Sequence, residues 1–543
     1  MSSNEIFPLV PAGWRSTTLG ELAKESGGSI QTGPFGSQLH AADYVDEGIP
    51  SIMPKNIRID GVDTSDIARV SPKDVERLAK HKVLAGDVVY SRRGDVEKCC
   101  LITSGEEGWL CGTGCLRVRI PSSVLSPVFL HAYLCHPAVR EWIVRHAIGA
   151  TMPNLNTSIL SALPILVPPI NEAESVADIW ALVSRKISLN TQTNQTLEQM
   201  VQALFKSWFV DFDPVFDNAL DSGFFEREFQ GEGIPEPLAA RVAVRRAIRQ
   251  AGREGMRQAA PEEMRPAIEP AQGAHSGTAI SAAPGTASQD TAAVNASHSL
   301  PADIRALFPA SFVEHPDLGW IPEGWEVLTA DSVADVAIGK TPPRKESQWF
   351  SDTPSQNVTW VSIKDMGNAG PFVLDSSEYL VPDAVDKFNI KTVPAGSVLL
   401  SFKLTLGRVC MVKSTLTTNE AIAHFSNYRK GLNRDFIYCY LKQFNYEMLG
   451  STSSIATAVN SKIIKAMSVL VPSGRASQMF SELVAPWFDM VLSRSEENRE
   501  LTNLRDTLLP KLLSGELTLA EEGPERDWVD EDLAPTKTKK VQV

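Results

Sequence analysis

The sequence predicts an α+β protein built twice over: two duplicated globular domains separated by two long helices that pair antiparallel as a coiled coil. Three observations predict it. Landmarks of the first half return in the same order in the second, the mark of a duplicated unit. Each half closes on a long stretch of apolar residues at helical spacing. Before each stretch lie short apolar runs punctuated by Gly and Pro, the pattern of strands and turns.

The landmarks are specific. Gly13-Trp14 recurs as Gly324-Trp325, and Ala85-Gly86-Asp87-Val88 as Ala395-Gly396-Ser397-Val398, with Ser91 matching Ser401. Phe129, Tyr133 and Leu134 recur as Phe436, Tyr440 and Leu441, Asn156 as Asn460, and Ile165-Leu166-Val167-Pro168 as Val469-Leu470-Val471-Pro472. The offset falls steadily from 311 to 304, as a duplication with a few net deletions would leave it.

The helical stretches cover about 171–211 and 477–517. Ile179, Val183, Ile187, Leu197, Met200, Leu204 and Trp208 share one face of the first; Leu483, Trp487, Val491, Leu501, Leu504, Leu508 and Leu512 share one face of the second. Both seams break at the same place, Asn190–Thr196 and Arg494–Glu500, with Asn194 matching Asn498. A polar break in a seam fixes register at some cost in stability. Two separate surface helices would show the same spacing; the shared break favours pairing. At roughly 1.5 Å per residue each helix is a rod of about 60 Å.

The domain order expected is a first globular domain at 1–170, a first spacer helix at 171–215, and an inserted basic helix with a disordered linker at 216–312. A second globular domain follows at 313–473, then a second spacer helix at 474–519 and an acidic flexible tail at 520–543. In the insertion, Arg241, Arg245, Arg246, Arg249, Arg253 and Arg257 fall in one helical stretch, which fits either a phosphate contact or a solvated face. Residues 261–301 are rich in Ala, Ser, Thr, Gly and Pro.

Composition narrows the function. No apolar run is long enough to cross a membrane, and MSSNEIFPLV lacks the basic-then-apolar pattern of a secretory signal, so a cytoplasmic location is expected. Seven unevenly spaced cysteines read as reduced thiols. Cys111 and Cys115 have no companion pair at ligand spacing, so no metal is expected. The net charge of −13 leaves nucleic-acid binding to local basic loops and to partners.

Four stretches resemble a known family. Phe205-Lys206-Ser207-Trp208-Phe209-Val210-Asp211-Phe212-Asp213-Pro214-Val215 resembles the end of the first spacer helix in specificity (S) subunits of type I restriction-modification systems. Ala306-Leu307-Phe308-Pro309 with Gly319-Trp320-Ile321-Pro322-Glu323-Gly324-Trp325, and Gly339-Lys340-Thr341-Pro342 with Trp360 to Met366, are similar to the start of their second target recognition domain. Leu509-Pro510-Lys511-Leu512-Leu513-Ser514-Gly515-Glu516-Leu517 resembles the end of the second spacer. The resemblance implies a non-catalytic subunit that reads a split target on double-stranded DNA. It implies two methyltransferase (M) subunits and restriction (R) subunits as partners, with S-adenosylmethionine, ATP and Mg on those partners and no cofactor on this chain.

The residues agree that the chain is not an enzyme. Ala334 to Thr341 approaches a phosphate-binding loop but has Ala where the first Gly is required, and Pro342-Pro343 opposes a following helix. No Asn-Pro-Pro-aromatic stretch exists, and Pro382-Asp383 with Asp386-Lys387 only mimics a nuclease signature. The alternative is a free-standing sequence-specific DNA-binding regulator, distinguished by lacking a methyltransferase partner.

Base reading needs donors and acceptors on loops that enter a groove. In the first half the candidates are the polar loop 31–38, with Gln31, Ser37 and Gln38 and Phe35 at its tip, then Lys55-Asn56, then Arg92-Arg93. In the second they are Lys340, Thr341, Arg344, Lys364 and Lys403. Solvated loop charges are the competing reading for each. The repeated segments Thr151–Pro169 and Ala456–Pro472 are the candidate partner surfaces.

Overall fold

The computed structural model describes residues 6–7, 10–149, 153–231, 233–259, 300–403, 405–449, 459–513 and 517. Most of the linker expected at 261–301, through residue 299, and the tail expected at 520–543 lie outside the described residues. The chain mixes helix and strand and forms two compact units, residues 1–191 with 497–543 and residues 192–496. No described helix is long and apolar enough to cross a membrane.

In the first unit, Arg15–Thr18 pairs antiparallel with Pro164–Val167 and so closes the globular part on itself. A four-stranded sheet follows the order Ser29–Thr32, Cys115–Arg119, Val88–Ser91, Cys99–Leu101. A second four-stranded sheet holds Leu110–Cys111, Ile49–Ile52, Ala68–Val70 and Tyr44–Val45. The main core lies between the first sheet and the helices Pro127–Leu134 and Pro137–His146, and it takes in Val176, Ala177, Trp180, Leu512 and Leu513 from the long helices.

The second unit repeats the scheme. Glu326–Thr329 pairs antiparallel with Ser468–Val471. Its main sheet runs Asp335–Ile338, Ile422–Ser426, Val398–Ser401, Val409–Val412, with Phe372–Val373 added in parallel at the edge. Val201, Phe205 and Trp208 join its core with Phe480, Val484 and Phe488.

The long helices span Ile170–Phe205 and Gly474–Leu513. The first was expected to run through the WFVDFDP stretch. Instead the α-helix ends at Phe205, a π turn covers Lys206–Val210, and Phe212 turns left-handed at φ 56° ahead of Pro214. The turn buries Trp208 and Phe209 in the core of the second unit.

Within each unit the helices touch through the polar break. In the first unit Asn498 Nδ2 donates to Ile187 O at 3.3 Å and to Thr191 Oγ1 at 3.1 Å. In the second, Asn194 Nδ2 donates to Val491 O at 3.3 Å and to Ser495 Oγ at 3.1 Å. These are the same two bonds carried over by the repeat, since 194, 491 and 495 match 498, 187 and 191 at an offset of 304.

In the insertion, four of the six clustered arginines are ion-paired within the chain; the side chains of Arg253 and Arg257 lie outside the described residues. The helix Glu236–Ala259 lies on the helix Asp213–Ser222. Arg241 pairs with Asp213 at 3.0 Å, Arg245 with Asp217 at 2.5 Å, Arg246 with Glu226 at 2.8 Å, and Arg249 with Asp221. Carboxylates of the preceding segment neutralise these four arginines.

Candidate nucleic-acid interface

The candidate loops of the first unit meet at one turn, Gly112-Thr113-Gly114. Gly33 N donates to Cys115 O at 2.9 Å, Gly112 N to Ile52 O at 2.9 Å, and Arg92 N to Gly114 O at 2.8 Å. Loops 33–38, 53–56 and 92–93 are thereby tied to one point by backbone bonds. A Cβ on Gly33 would overlap Gly112 O, so only glycine lets these two strands of chain approach.

The second unit builds the same junction at Thr418 to Ala421. Gly339 N donates to Ile422 O at 3.1 Å, Asn419 N to Val361 O at 3.1 Å, and Phe402 N to Ala421 O at 2.9 Å. A Cβ on Gly339 would overlap Asn419 O and Thr418. Each bond is the repeat counterpart of one in the first unit. Sequence reasoning named the loops but missed the junction, and Thr418 to Ala421 contains no glycine that would mark it.

Side chains on this frame sort into exposed and engaged. Phe35 is 52% exposed, and the Arg92 guanidinium lies 5.7 Å from its ring centre. Ser37, Arg93, Lys364 and Lys403 are exposed. Others are held within the chain. Lys55 pairs with Asp66 at 2.5 Å, Lys340 Nζ donates to Phe388 O at 2.6 Å, and Thr341 Oγ1 donates to Glu420. Arg344 forks onto Glu378 at 2.8 and 3.0 Å, with its guanidinium against the rings of Phe350 and Trp360. Gln38 Oε1 accepts from Phe35 N at 3.2 Å and closes its own loop.

Two expectations are corrected. Gln31 is not in a loop but in the strand Ser29–Thr32, where Oε1 accepts from buried Arg117 at 3.0 Å. Asn56 is only 2% exposed and is a turn-former: Oδ1 accepts from Met53 N at 3.1 Å and Nδ2 donates to Asp63 O at 2.9 Å. Its repeat counterpart Asp365 does the same, accepting from Ser362 N at 2.8 Å. Burial would raise the Asp365 carboxyl, but hydrogen bonds from Ser362 and Ser377 outweigh it and hold it below the usual range.

The stretch resembling a phosphate loop is a strand, Asp335–Ile338, running into the junction; the next helical turn begins only at Ser347.

A family model described as the type I restriction modification DNA specificity domain matches residues 12–199 and 322–479. The chain is 27% identical over 460 residues to the type I restriction enzyme HindI specificity subunit of Haemophilus influenzae, covering 82% of this chain and 89% of that one. It is 24% identical over 193 residues to the MjaIX specificity subunit of Methanocaldococcus jannaschii, 35% of this chain and 43% of that one. Among solved structures, the S subunit of a type I restriction-modification system from M. genitalium aligns over 94% of this chain and 98% of its own, at 13% identity and a TM-score of 0.41.

Proposed function

The chain belongs to the type I restriction modification DNA specificity domain family, and on that premise we propose that it is the DNA-reading specificity subunit of a type I restriction-modification complex. One observation carries the reading: the same three-loop junction is built twice from matched backbone bonds, while the side chains it presents differ. Two unlike reading edges on one chain suit a split target with unlike halves. A regulator needing no methyltransferase is not favoured by the family.

Arg92 and Arg93 read one half-site, with Ser37 beside them; Lys364 and Lys403 serve the other. Lys55, Lys340, Thr341 and Arg344 hold the loops in shape. Two M subunits dock on the repeated segments Thr151–Pro169 and Ala456–Pro472, of which 151–152 and 456–458 lie outside the described residues, because identical partners need similar surfaces. R subunits join that assembly for cleavage.

The helices, paired as an antiparallel coiled coil, set the gap between half-sites. Inserting four residues after Asn194 adds about 6 Å and rotates the rest of the helix by roughly 40°. At about 3.4 Å per base pair the preferred gap lengthens by one or two pairs, or binding fails.

The test is to purify the chain with its methyltransferase and select methylated sites from a random DNA pool. Arg92→Ala and Arg93→Ala are expected to weaken binding by about 1–3 kcal/mol and relax one half-site only, with assembly intact. Unchanged affinity and preference in both variants would remove the assignment. A single methyltransferase per chain at saturation would remove the two-surface reading.

A further inference from the structure

Cys99, His131 and Cys135 form a buried cluster that the DNA-reading role does not use. Their ligand atoms all lie within 4.8 Å of one another, and no side chain of the three reaches solvent. Two elements build it. The strands Val88–Ser91 and Cys99–Leu101 pair Tyr90 opposite Cys99, so both side chains leave the same face of the sheet. The helix Pro127–Leu134 lies on that face, and His131 and Cys135, four residues apart, share one side of it.

We propose that this cluster is a zinc site, with the Cys99 and Cys135 thiolates and His131 Nε2 as three ligands and the Tyr90 phenol oxygen as the fourth. The spacing fits. Zn–S bonds of about 2.3 Å and Zn–N bonds of about 2.05 Å in a tetrahedron put the sulfurs about 3.8 Å apart, and sulfur and nitrogen about 3.6 Å apart. The two sulfurs lie 3.7 Å apart, and Cys135 Sγ lies 3.4 Å from His131 Nε2. A hydrogen-bonded thiol pair would sit at similar distances, so the spacing does not decide alone.

Tyr90 supplies the second observation. Its side chain is wholly buried, and its hydroxyl meets the weakly accepting Cys99 sulfur without a hydrogen bond of good geometry. A buried unpartnered hydroxyl is costly unless something accepts or binds it. Charge selects the metal class: two thiolates and a neutral imidazole cancel a divalent ion, whereas a monovalent one would leave net charge in a dry pocket. Binding releases the two thiol protons to solvent, with no change of oxidation state.

The repeat shows that the cluster is not a by-product of the scaffold. The matched positions in the second unit are Leu400, Val409, Tyr438 and Lys442, which keep the fold and discard every soft donor.

The test uses the full chain, reduced and stripped of metal, titrated with zinc chloride and separately with cobalt chloride. One ion per chain is expected, with a thiolate-to-cobalt charge-transfer band and the intense visible bands of a tetrahedral ion. Cys99→Ser and Cys135→Ser lose the charge-transfer intensity, Tyr90→Phe weakens zinc at least tenfold, and Cys111→Ser changes nothing. Folded wild-type protein that shows no such band at excess cobalt and takes up no zinc overturns the proposal, and needs no variant to do so. The same bands in a Cys99→Ser/Cys135→Ser double variant overturn it too, as does a Cys99–Cys135 disulfide found by mass in unreduced protein whose reduced form ignores zinc.

Discussion

Where each globular part meets its long helices, the two units solve one packing problem with different chemistry. In the first, His131 stands edge-on to Trp180 at 6.1 Å, and Arg505 lies 5.1 Å from the same indole. In the second, the residue matching His131 is Tyr438, whose hydroxyl donates to Glu198 at 2.5 Å; Lys442 pairs with the same carboxylate at 3.0 Å. Tyr438 is also edge-on to Phe488 at 5.5 Å. The side chains that make these contacts have diverged. The backbone bonds at the loop junctions and the asparagine bonds between helices have not. Backbone groups and a few small or amide side chains carry the shared architecture, which frees the remaining side chains to differ, as two unlike half-sites require.

The sharpest way to break the comparison is at the glycines of the junctions. Gly33→Ala and Gly339→Ala each force a Cβ into a backbone carbonyl that has nowhere to move. Each is expected to cost about 3 kcal/mol or more in denaturant unfolding. Each should also abolish reading of one half-site while sparing the other in site selection. Equal damage to both halves from either variant would mean that the junctions do not act independently.

Acid should act on both units through buried histidines, and more strongly on the first, where burial also lowers His81. Burial holds His136 in the first and His424 in the second at a pKa of about 4. Unfolded, each titrates near 6.5. Above that pH both states are neutral and nothing is lost. As pH falls from about 6.5 towards 4, the unfolded chain takes protons that the folded one refuses, and stability drops by at most about 3 kcal/mol per histidine. His136→Asn keeps a group able to cap the helix Pro137–His146 and cannot titrate. It should lessen the acid dependence of the first unit only, leaving the part due to His81, read by denaturant unfolding across that pH window.

A smaller effect separates the units again. Glu198→Ala leaves the buried Tyr438 hydroxyl and the Lys442 ammonium without their acceptor, and should cost about 2 kcal/mol. The first unit has no such carboxylate at the matched place, where residue 502 is Thr. Thr502→Ala is therefore expected to change stability by less than about 0.5 kcal/mol.

What was legible in the sequence was what repeats at fixed offsets. Asn194 and Asn498 match by position alone, and the structure gives them equivalent bonds. Candidate loops could be found because polar residues and Gly flag them. Their gathering could not, because backbone atoms of Gly112–Gly114 and Thr418–Ala421 do it, and backbone bonds leave no residue-type signal. Asn56 is a candidate base reader because it is a polar group on a loop; shaping a turn uses the same amide, and burial decides between them. The zinc reading of Cys111 and Cys115 looked for ligands close in sequence. Cys99 and His131 are brought together by a strand packing on a helix, which spacing alone does not reveal.

The smallest expected effect is the most telling about the insertion. Asp221 holds Arg249 before the segment at 260–299 and Arg305 after it. Asn218 Nδ2 adds bonds to Arg305 O at 2.9 Å and Phe308 O at 3.0 Å. The described residues on both sides of that segment are therefore held at one helix, Asp213–Ser222. Phe216, Phe224, Phe225, Phe308 and Phe312 bury both ends in the same core. Deleting residues 265–295 should leave the half-site gap unchanged, and closing a shorter loop should raise stability by no more than about 1.3 kcal/mol. Replacing Asp221 with Ala should do the reverse, loosening both ends at once while the loop keeps its length. A deletion that shifts the gap in selected sites would mean that the connection between the repeats, and not the helices, measures the target.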